Sequence, residues 1–360
     1  MLKMPTLVKE FGQRSEDHLK RLLSDVPAIE IESLDRNVRR DQQQIDLVAH
    51  VRVAGRSHTI VCEVKDNGQP RYVRMALLQL QSYIRHVDSP ATPLLIAPYL
   101  SPESQALCRE LGVGFLDFEG NARLVFDGVF VERRVDSKPP VARRELKSLF
   151  KPKSAQALRV LLRDPKRSWR VAALAAAARM SIGHINNVRV GLLDREWARL
   201  EPSGLLLSQP DALLDAWRDA YEPPAGDRLT FYTTLHGAAF DTAARGALGA
   251  ADGQNNVMFA SFSAAQWLAP YARVGTHYFY ANQAGLGKLQ QQLVLSSPIK
   301  GENVIVVRLY DDDLFRDAAE PAAGIICTRA VQTYLDLAAA GERGREAADH
   351  LRRERLQWHP

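Results

Sequence analysis

Two pairs of adjacent prolines, Pro139-Pro140 and Pro223-Pro224, limit how this chain can fold more than any other feature. Proline has a fixed φ and no backbone N–H, so a pair continues neither a helix nor a central strand. Both pairs read as linkers. The first is Ser137-Lys138-Pro139-Pro140, followed by the basic run Arg143, Arg144, Lys147, Lys151 and Lys153. The second is Tyr221-Glu222-Pro223-Pro224-Ala225-Gly226. They divide the 360 residues into segments 1–138, 139–222 and 223–360, as expected for two or three domains of roughly 100–200 residues each. No internal repeat or low-complexity tract interrupts them.

The chain is 46% hydrophobic and 25% charged, the balance of a globular protein. No run approaches the roughly 18 uncharged apolar residues of a spanning helix, so no membrane role is expected. The opening Met1-Leu2-Lys3-Met4-Pro5 lacks the apolar core of a signal peptide. Three widely spaced cysteines, Cys62, Cys108 and Cys327, argue against a disulfide scaffold and fit a reducing, cytoplasmic setting. The net charge of +5 is concentrated: residues 151–200 hold 11 Lys/Arg against 3 Asp/Glu. A basic surplus on one segment points to a polyanionic partner.

In the first segment, Leu7, Phe11, Leu19, Leu22 and Leu23 give helical spacing over 7–24. Two apolar, β-branched runs, Ile45–Val53 and His58–Lys65, joined by Ala54-Gly55-Arg56-Ser57, predict a hairpin. Strand alternation puts Val61, Glu63 and Lys65 on one face and Ile60, Cys62 and Val64 on the other. One face thus presents an acid and a base, with Asp46 near the start of the partner strand. Residues 70–86 predict a helix on which Gln79 and Tyr83 are one turn apart. A strand at Leu94–Ala97 and a helix over Ser101–Leu111 follow, so strands and helices alternate. Gly112, Gly114 and Gly120 read as turns, since no Gly-Lys-Ser/Thr accompanies them.

Asp46, Glu63-Val64-Lys65 and Gln79-x-x-x-Tyr83 resemble the PD-(D/E)xK, or restriction-endonuclease-like, superfamily, although Ile45 stands where proline is usual. Two carboxylates can share a hard cation such as Mg²⁺, which acidifies a bound water and offsets charge on a scissile phosphate. The resemblance implies Asp46 and Glu63 as metal ligands, Lys65 as the water-positioning base and Gln79 as a helix-borne accessory, with Glu10 or Glu16 as a further carboxylate. The fold is also reused as a binding scaffold, so it does not by itself fix an activity.

In the middle segment, short helices are predicted over Ser154–Leu162 and Val171–Ala178, with a third capped by Ser181 and running to about Leu193. Ile182, Ile185, Val188 and Leu192 form its expected buried stripe. His184, Asn187 and Arg189 fall off that stripe, with Asn186 near its edge. Trp197–Leu200 and Gly204–Leu207 predict a two-stranded wing, and Pro210 with Leu213-Leu214-x-x-Trp217 predicts a closing helix. This order resembles the winged helix-turn-helix family, in which the third helix enters the major groove. Asn pairs with adenine and Arg with guanine. Lys151, Lys153, Lys166, Arg167, Arg170, Arg179 and Arg199 are the candidate phosphate contacts, and Ser181, His184, Asn187 and Arg189 the candidates on the reading helix. A winged helix used only for protein contacts is the alternative.

The last segment reads as α/β. A helix spans Leu235–Leu248, apolar runs lie at Val257–Phe262, Tyr278–Tyr280 and Val304–Leu309, and a charged helix begins near Ala330. Asp311-Asp312-Asp313 is read as a polar turn, His236 as a helix-end histidine, and Tyr271, Tyr278, Phe279 and Tyr280 as core. Four passages sharpen a family resemblance. They are Gly114–Ala122, Gly191-Leu192-Leu193, Leu213-Leu214-x-x-Trp217, and Thr333–Leu337 with Gly341–Ala348. Together they resemble the AbiEi-like antitoxin and transcriptional-regulator family of type IV toxin–antitoxin systems. The resemblance implies binding of double-stranded DNA, operon autorepression and a nucleotidyltransferase-like toxin encoded nearby. A homodimer is left open. The expected architecture is α/β: a restriction-endonuclease-like α/β domain, a central winged helix-turn-helix and a C-terminal α/β antitoxin-like domain. The expected function is a DNA-binding regulator needing no cofactor to bind. The alternative is a Mg²⁺-dependent endonuclease targeted by its winged helix.

Overall fold

The computed structural model describes residues 4–40, 43–85, 91–135, 139–140, 144, 148–249, 256–271, 275–297 and 301–358. Ser137 and Lys138 of the first linker, and Arg143 and Lys147 after it, lie outside the described residues. The chain divides into two compact units. One is Met1–Glu145 with Gly191–Glu196, and the other is Leu146–Val190 with Trp197–Pro360.

The first unit is a three-layer α/β structure. Helix α1 (Met4–Ser24) precedes an antiparallel meander of β1 (Ile29–Arg40), β2 (Gln43–Val53) and β3 (Arg56–Val64). The β2–β3 turn is tight, because Ala54 and Gly55 both take positive φ and match the twist of the hairpin. Helix α2 (Pro70–Ile84) carries the chain to β4 (Ala91–Ala97), which runs parallel to β3. Helix α3 (Pro102–Glu110) then leads to β5 (Gly114–Asp117), parallel to β4. Helix crossovers of this kind are what parallel strands require. Antiparallel β6 (Ala122–Phe126) and β7 (Val129–Arg133) complete a sheet in simple order β1 to β7.

The expected alternation of β3 is realised. Ile60 and Cys62 pack with Leu19, Leu22 and Leu23 of α1, while Val61 packs with Val73, Leu77 and Leu80 of α2. Glu63 and Lys65 therefore belong to the α2 side of the sheet. Four strands escaped the sequence reading: β1, β5, β6 and β7, with Gly114, read as a turn, opening β5. β1 is an edge strand whose many charges hide its pattern while blocking further pairing. β6 and β7 are too short to stand out.

The second unit begins with α4 (Pro152–Arg163), α5 (Val171–Ala178) and α6 (Ile182–Asp194), whose last residues, from Gly191, fall in the first unit. The hairpin β8 (Ala198–Glu201)–β9 (Gly204–Leu207) and helix α7 (Pro210–Asp219) follow. This is the predicted helix, helix, helix, hairpin, helix order. Trp169 adds a bridge to Leu205 with reciprocal 2.8 Å N–H···O bonds, widening the hairpin. That pairing fixes glycine at 204: φ is +141°, and a Cβ there would lie 2.4 Å from the Trp169 carbonyl oxygen.

Beyond the second proline pair, six strands form a mixed sheet in order β10-β13-β12-β11-β15-β14. They are β10 (Gly226–Phe231), β11 (Val257–Phe259), β12 (His277–Ala281), β13 (Val304–Leu309), β14 (Ala318–Ala322) and β15 (Ile325–Thr328). Helices α8 (Gly237–Ala247), α9 (Ser261–Leu268), α10 (Gln283–Gln292), α11 (Ala330–Ala338) and α12 (Gly341–Arg355) surround it. Two expectations need correcting. The Val257–Phe262 run stops being strand at Phe259, because Ser261 starts a helix. The charged C-terminal helix is two helices, broken where Gly341 takes φ +79°. Asp311–Asp313 is a turn: Asp312 accepts both Asn256 and Asn282 amides, and Asp311 accepts the Asp313 N–H. His236 caps α8 and is exposed. Phe279 and Tyr280 are core, whereas Tyr271 is 49% exposed.

Within this unit the helical module is bound to the C-terminal sheet domain by side chains. Arg352 of α12 donates to Asp211 at 2.7 Å and Asp215 at 2.6 Å on α7. Arg159 of α4 donates to Gln332 of α11 at 2.9 Å, and Arg163 pairs with Asp317. Trp217, 2% exposed, stacks on Phe150 with ring centroids 5.8 Å apart and planes 3° from parallel.

Candidate functional site

Two groups of sequence-predicted residues come together, one in each unit. The first forms where β2 and β3 part. The last regular pair is Leu47 with Cys62, beyond which β3 keeps only its pairing to β4, through Val64. The Asp46 side chain takes over the lost ladder position, accepting the Val64 N–H at 2.8 Å. Glu63 and Lys65 flank that residue. Lys65 Nζ donates to Glu63 Oε1 at 2.6 Å and to Gln79 Oε1 on α2 at 3.1 Å. Asp46, Glu63, Lys65 and Gln79 thus converge across three elements.

Glu63 is 6% exposed. Burial raises its carboxyl pKa, the Lys65 hydrogen bond opposes that rise, and the Asp46 charge adds to it. The segment after Lys65 is pinned by Gly68. A Cβ at that position would lie 1.9 Å from the Tyr99 carbonyl oxygen, and Ser104 Oγ donates to the Gly68 carbonyl. Two oxygen donors close to a cationic lysine suit a hard divalent cation that keeps water in its remaining positions. Among the described residues no three His, Cys, Asp or Glu side chains are grouped to hold a metal. Glu16 is engaged by Arg36 on β1, and Glu10 is exposed on α1.

The second group surrounds α6. Ile185, Val188 and Leu192 are buried as predicted, but Ile182 is 56% exposed and leaves the stripe. Its position in the first turn places it beyond the reach of the core. Ser181 Oγ accepts the His184 N–H at 3.3 Å, the expected cap. The His184 ring turns inward, with Nε2 3.2 Å from Ser154 Oγ. Asn187 is exposed, and Asn186 and Arg189 are half-buried. The α5–α6 turn depends on Arg179, which takes φ +52° while its N–H bonds the Ala176 carbonyl. Lys151, Lys153, Lys166, Arg170 and Arg179 are exposed and make no ion pair among the described residues. Arg167 is exposed and lies over the Trp169 ring, 3.8 Å from its centroid. Arg199 is engaged by Glu201 at 2.9 Å. An exposed helix start with Lys153 and Arg179 beside it can meet a polyanion.

A third polar cluster gave no sequence signal, because its members are far apart in the chain. Asp336 Oδ1 accepts Tyr221 Oη at 2.5 Å, Gln332 Nε2 at 2.8 Å and Tyr280 Oη at 2.9 Å. Its Oδ2 is buried without a hydrogen-bond partner among the described residues. Burial pushes the Asp336 pKa up to about 6, against the pull of those hydrogen bonds. The folded state therefore holds this proton more tightly than the unfolded chain does. The resulting stability is complete below the usual carboxylate range and is lost as pH rises through about 6. We expect Asp336→Asn to flatten the pH dependence of melting between about 4 and 6. We also expect it to narrow the deficit at pH 8 by on the order of 2–3 kcal/mol. Urea melts of both proteins at a series of pH values give the comparison, and parallel curves would refute it.

The three cysteines are free and buried, their thiol pKa values raised by burial, as expected without a disulfide framework. No helix is long and apolar enough to cross a membrane among the described residues.

Among solved structures, the chain is similar to a repair endonuclease from Pyrococcus abyssi at 17% identity and a TM-score of 0.23. That match covers 29% of this chain and 47% of the other. The chain is also similar to EndoMS in its apo form, at 14% identity and a TM-score of 0.22, covering 29% and 45%. It spans less than half the length of either. No curated protein matches. Residues 206–357, from β9 through α12, are similar to the family described as transcriptional regulator, AbiEi antitoxin, type IV TA system.

Proposed function

We propose that this protein is a DNA-binding transcriptional regulator of the antitoxin type that represses its own operon, with a winged helix as its reader. The observation that carries this reading is the exposed first two turns of α6, with Lys153 and Arg179 beside Ser181 and His184 and making no ion pair among the described residues. Phosphate contacts from those cations would set register, and side chains of α6 would meet base edges. Ser181, placed at the helix start, supports a backbone contact there. The C-terminal sheet domain is the candidate surface for a nucleotidyltransferase-like toxin encoded nearby. No cofactor is needed for duplex binding, so a chelator should leave it intact. Gel-shift titration with the protein's own upstream region tests the reading. Binding at least about 10³-fold tighter than to scrambled duplex is expected, and equal affinity for both would overturn it.

A second reading is favoured by one observation, the lysine held between an acid and an amide at the end of β3. On this reading the protein is a Mg²⁺-dependent endonuclease. Asp46 and Glu63 would hold the metal, which when bound supplies an acidified water and charge compensation. Lys65 would orient that water, and Gln79 would keep Lys65 in place. Cleavage of plasmid DNA with Mg²⁺ or Mn²⁺ is then expected, falling by about 10²-fold or more in Lys65→Ala. No cutting of duplex, single-stranded or branched DNA with either metal would remove this reading and leave the first in place.

A further inference from the structure

The exposed face of α6 has a composition that constrains which bases it can read. Ile185, Val188 and Leu192 point into the core, so the opposite face is made by Gly183, Asn187 and Val190, with Ile182 and Asn186 beside them and Asp194, paired with Arg71, closing its C-terminal end. Ile182 is 56% exposed and Val190 51%. Nothing lies within 4 Å of where a Gly183 Cβ would be. His184, the one aromatic nitrogen donor on the helix, is directed at Ser154 instead of outward. Arg189 is half-buried on the flank of the face. The centre of the face therefore carries amide and aliphatic groups and no cation, while Lys153 and Arg179 lie beside its first turn.

Each part of that pattern has a counterpart in the major groove. A carboxamide makes two hydrogen bonds to adenine N6 and N7, and an aliphatic side chain fits the thymine methyl. Guanine is read best by a guanidinium or ammonium, which the centre of this face lacks. Two large aliphatic groups left in water beside an anion-binding border are explained by contact with methyl groups. The border itself supplies the charge complementarity that selects DNA as the occupant.

We infer that α6 reads A·T base pairs, with Asn187 and Asn186 bonding adenine and Ile182 and Val190 covering thymine methyls. This rests on the regulator reading and names the sequence class its helix prefers. Ile182 and Val190 are eight residues apart, about 12 Å along the helix axis. They bracket about three or four base pairs. The bare Gly183 lets the helix lie close to the groove floor.

The test uses the full chain and a library of randomised duplexes, selected without bias for binding. The expected product is a motif whose core is A·T. Replacing its thymines with uracil, which removes only the methyl, should weaken binding severalfold. Replacing its adenines with 7-deazaadenine, and separately Asn187→Ala, should weaken it by about 5- to 150-fold. Asn187 is exposed, so its variant keeps the core intact. A G·C core would overturn the inference while leaving the regulator reading standing. An A·T core insensitive to both uracil and Asn187→Ala would also overturn it, since preference then comes from groove shape. Retention of no duplex at all would overturn the regulator reading and this inference with it.

Discussion

Raising monovalent salt from about 50 to about 200 mM should weaken duplex binding by about 10³-fold or more. Affinity that depends on phosphate contacts falls linearly with salt on a logarithmic plot, because each neutralised phosphate releases a condensed counterion. Six exposed cations, Lys151, Lys153, Lys166, Arg167, Arg170 and Arg179, are available on the helical module. Arg199 contributes less, because Glu201 already holds its guanidinium. Glu201 in turn is held below its usual carboxylate range, chiefly by the Arg199 hydrogen bond. Reversing Lys166, Arg170 and Arg179 to glutamate should remove most of the slope as well as most of the affinity. Fluorescence anisotropy across a salt series measures both. A wild-type slope corresponding to fewer than about two phosphates would defeat the groove-docking picture.

Removing the Trp217 ring is the second large effect. Trp217→Ala should destabilise the second unit by about 3–5 kcal/mol, the usual consequence of emptying a fully buried aromatic site. Trp217 is 2% exposed, stacks on Phe150, and has the Arg159 guanidinium 5.8 Å from its ring centroid. Its loss leaves a cavity beside a cation that then lacks its π partner. Since whole-domain stability is about 5–15 kcal/mol, much of the second unit should melt near physiological temperature. DNA binding should fail with it, while Trp217→Phe should retain most of both. Urea unfolding followed by circular dichroism gives the number, and a shift under about 1 kcal/mol would show that Trp217 is not part of a packed core.

Much of this organisation is legible in the residues, for identifiable reasons. The three helices and wing of residues 152–207 follow from periodic leucines, the Ser181 cap and the Gly204 turn. The Asp46, Glu63, Lys65 and Gln79 convergence follows from strand alternation together with a helix on the same face. What was hidden depends on tertiary context. β1 is charged because it is an edge, and Ile182 looks like core by spacing yet sits one turn too early to be covered. The Asp336 cluster joins positions 221, 280, 332 and 336, and no local pattern announces contacts over such separations.

Arg352, Arg159 and Tyr221 tie the helical module to the C-terminal sheet domain through side-chain bonds as well as through the chain. The consequence is mechanical. A partner bound to the C-terminal lobe would gain leverage over the orientation of α6, so on the proposed reading toxin binding and operator binding would be coupled.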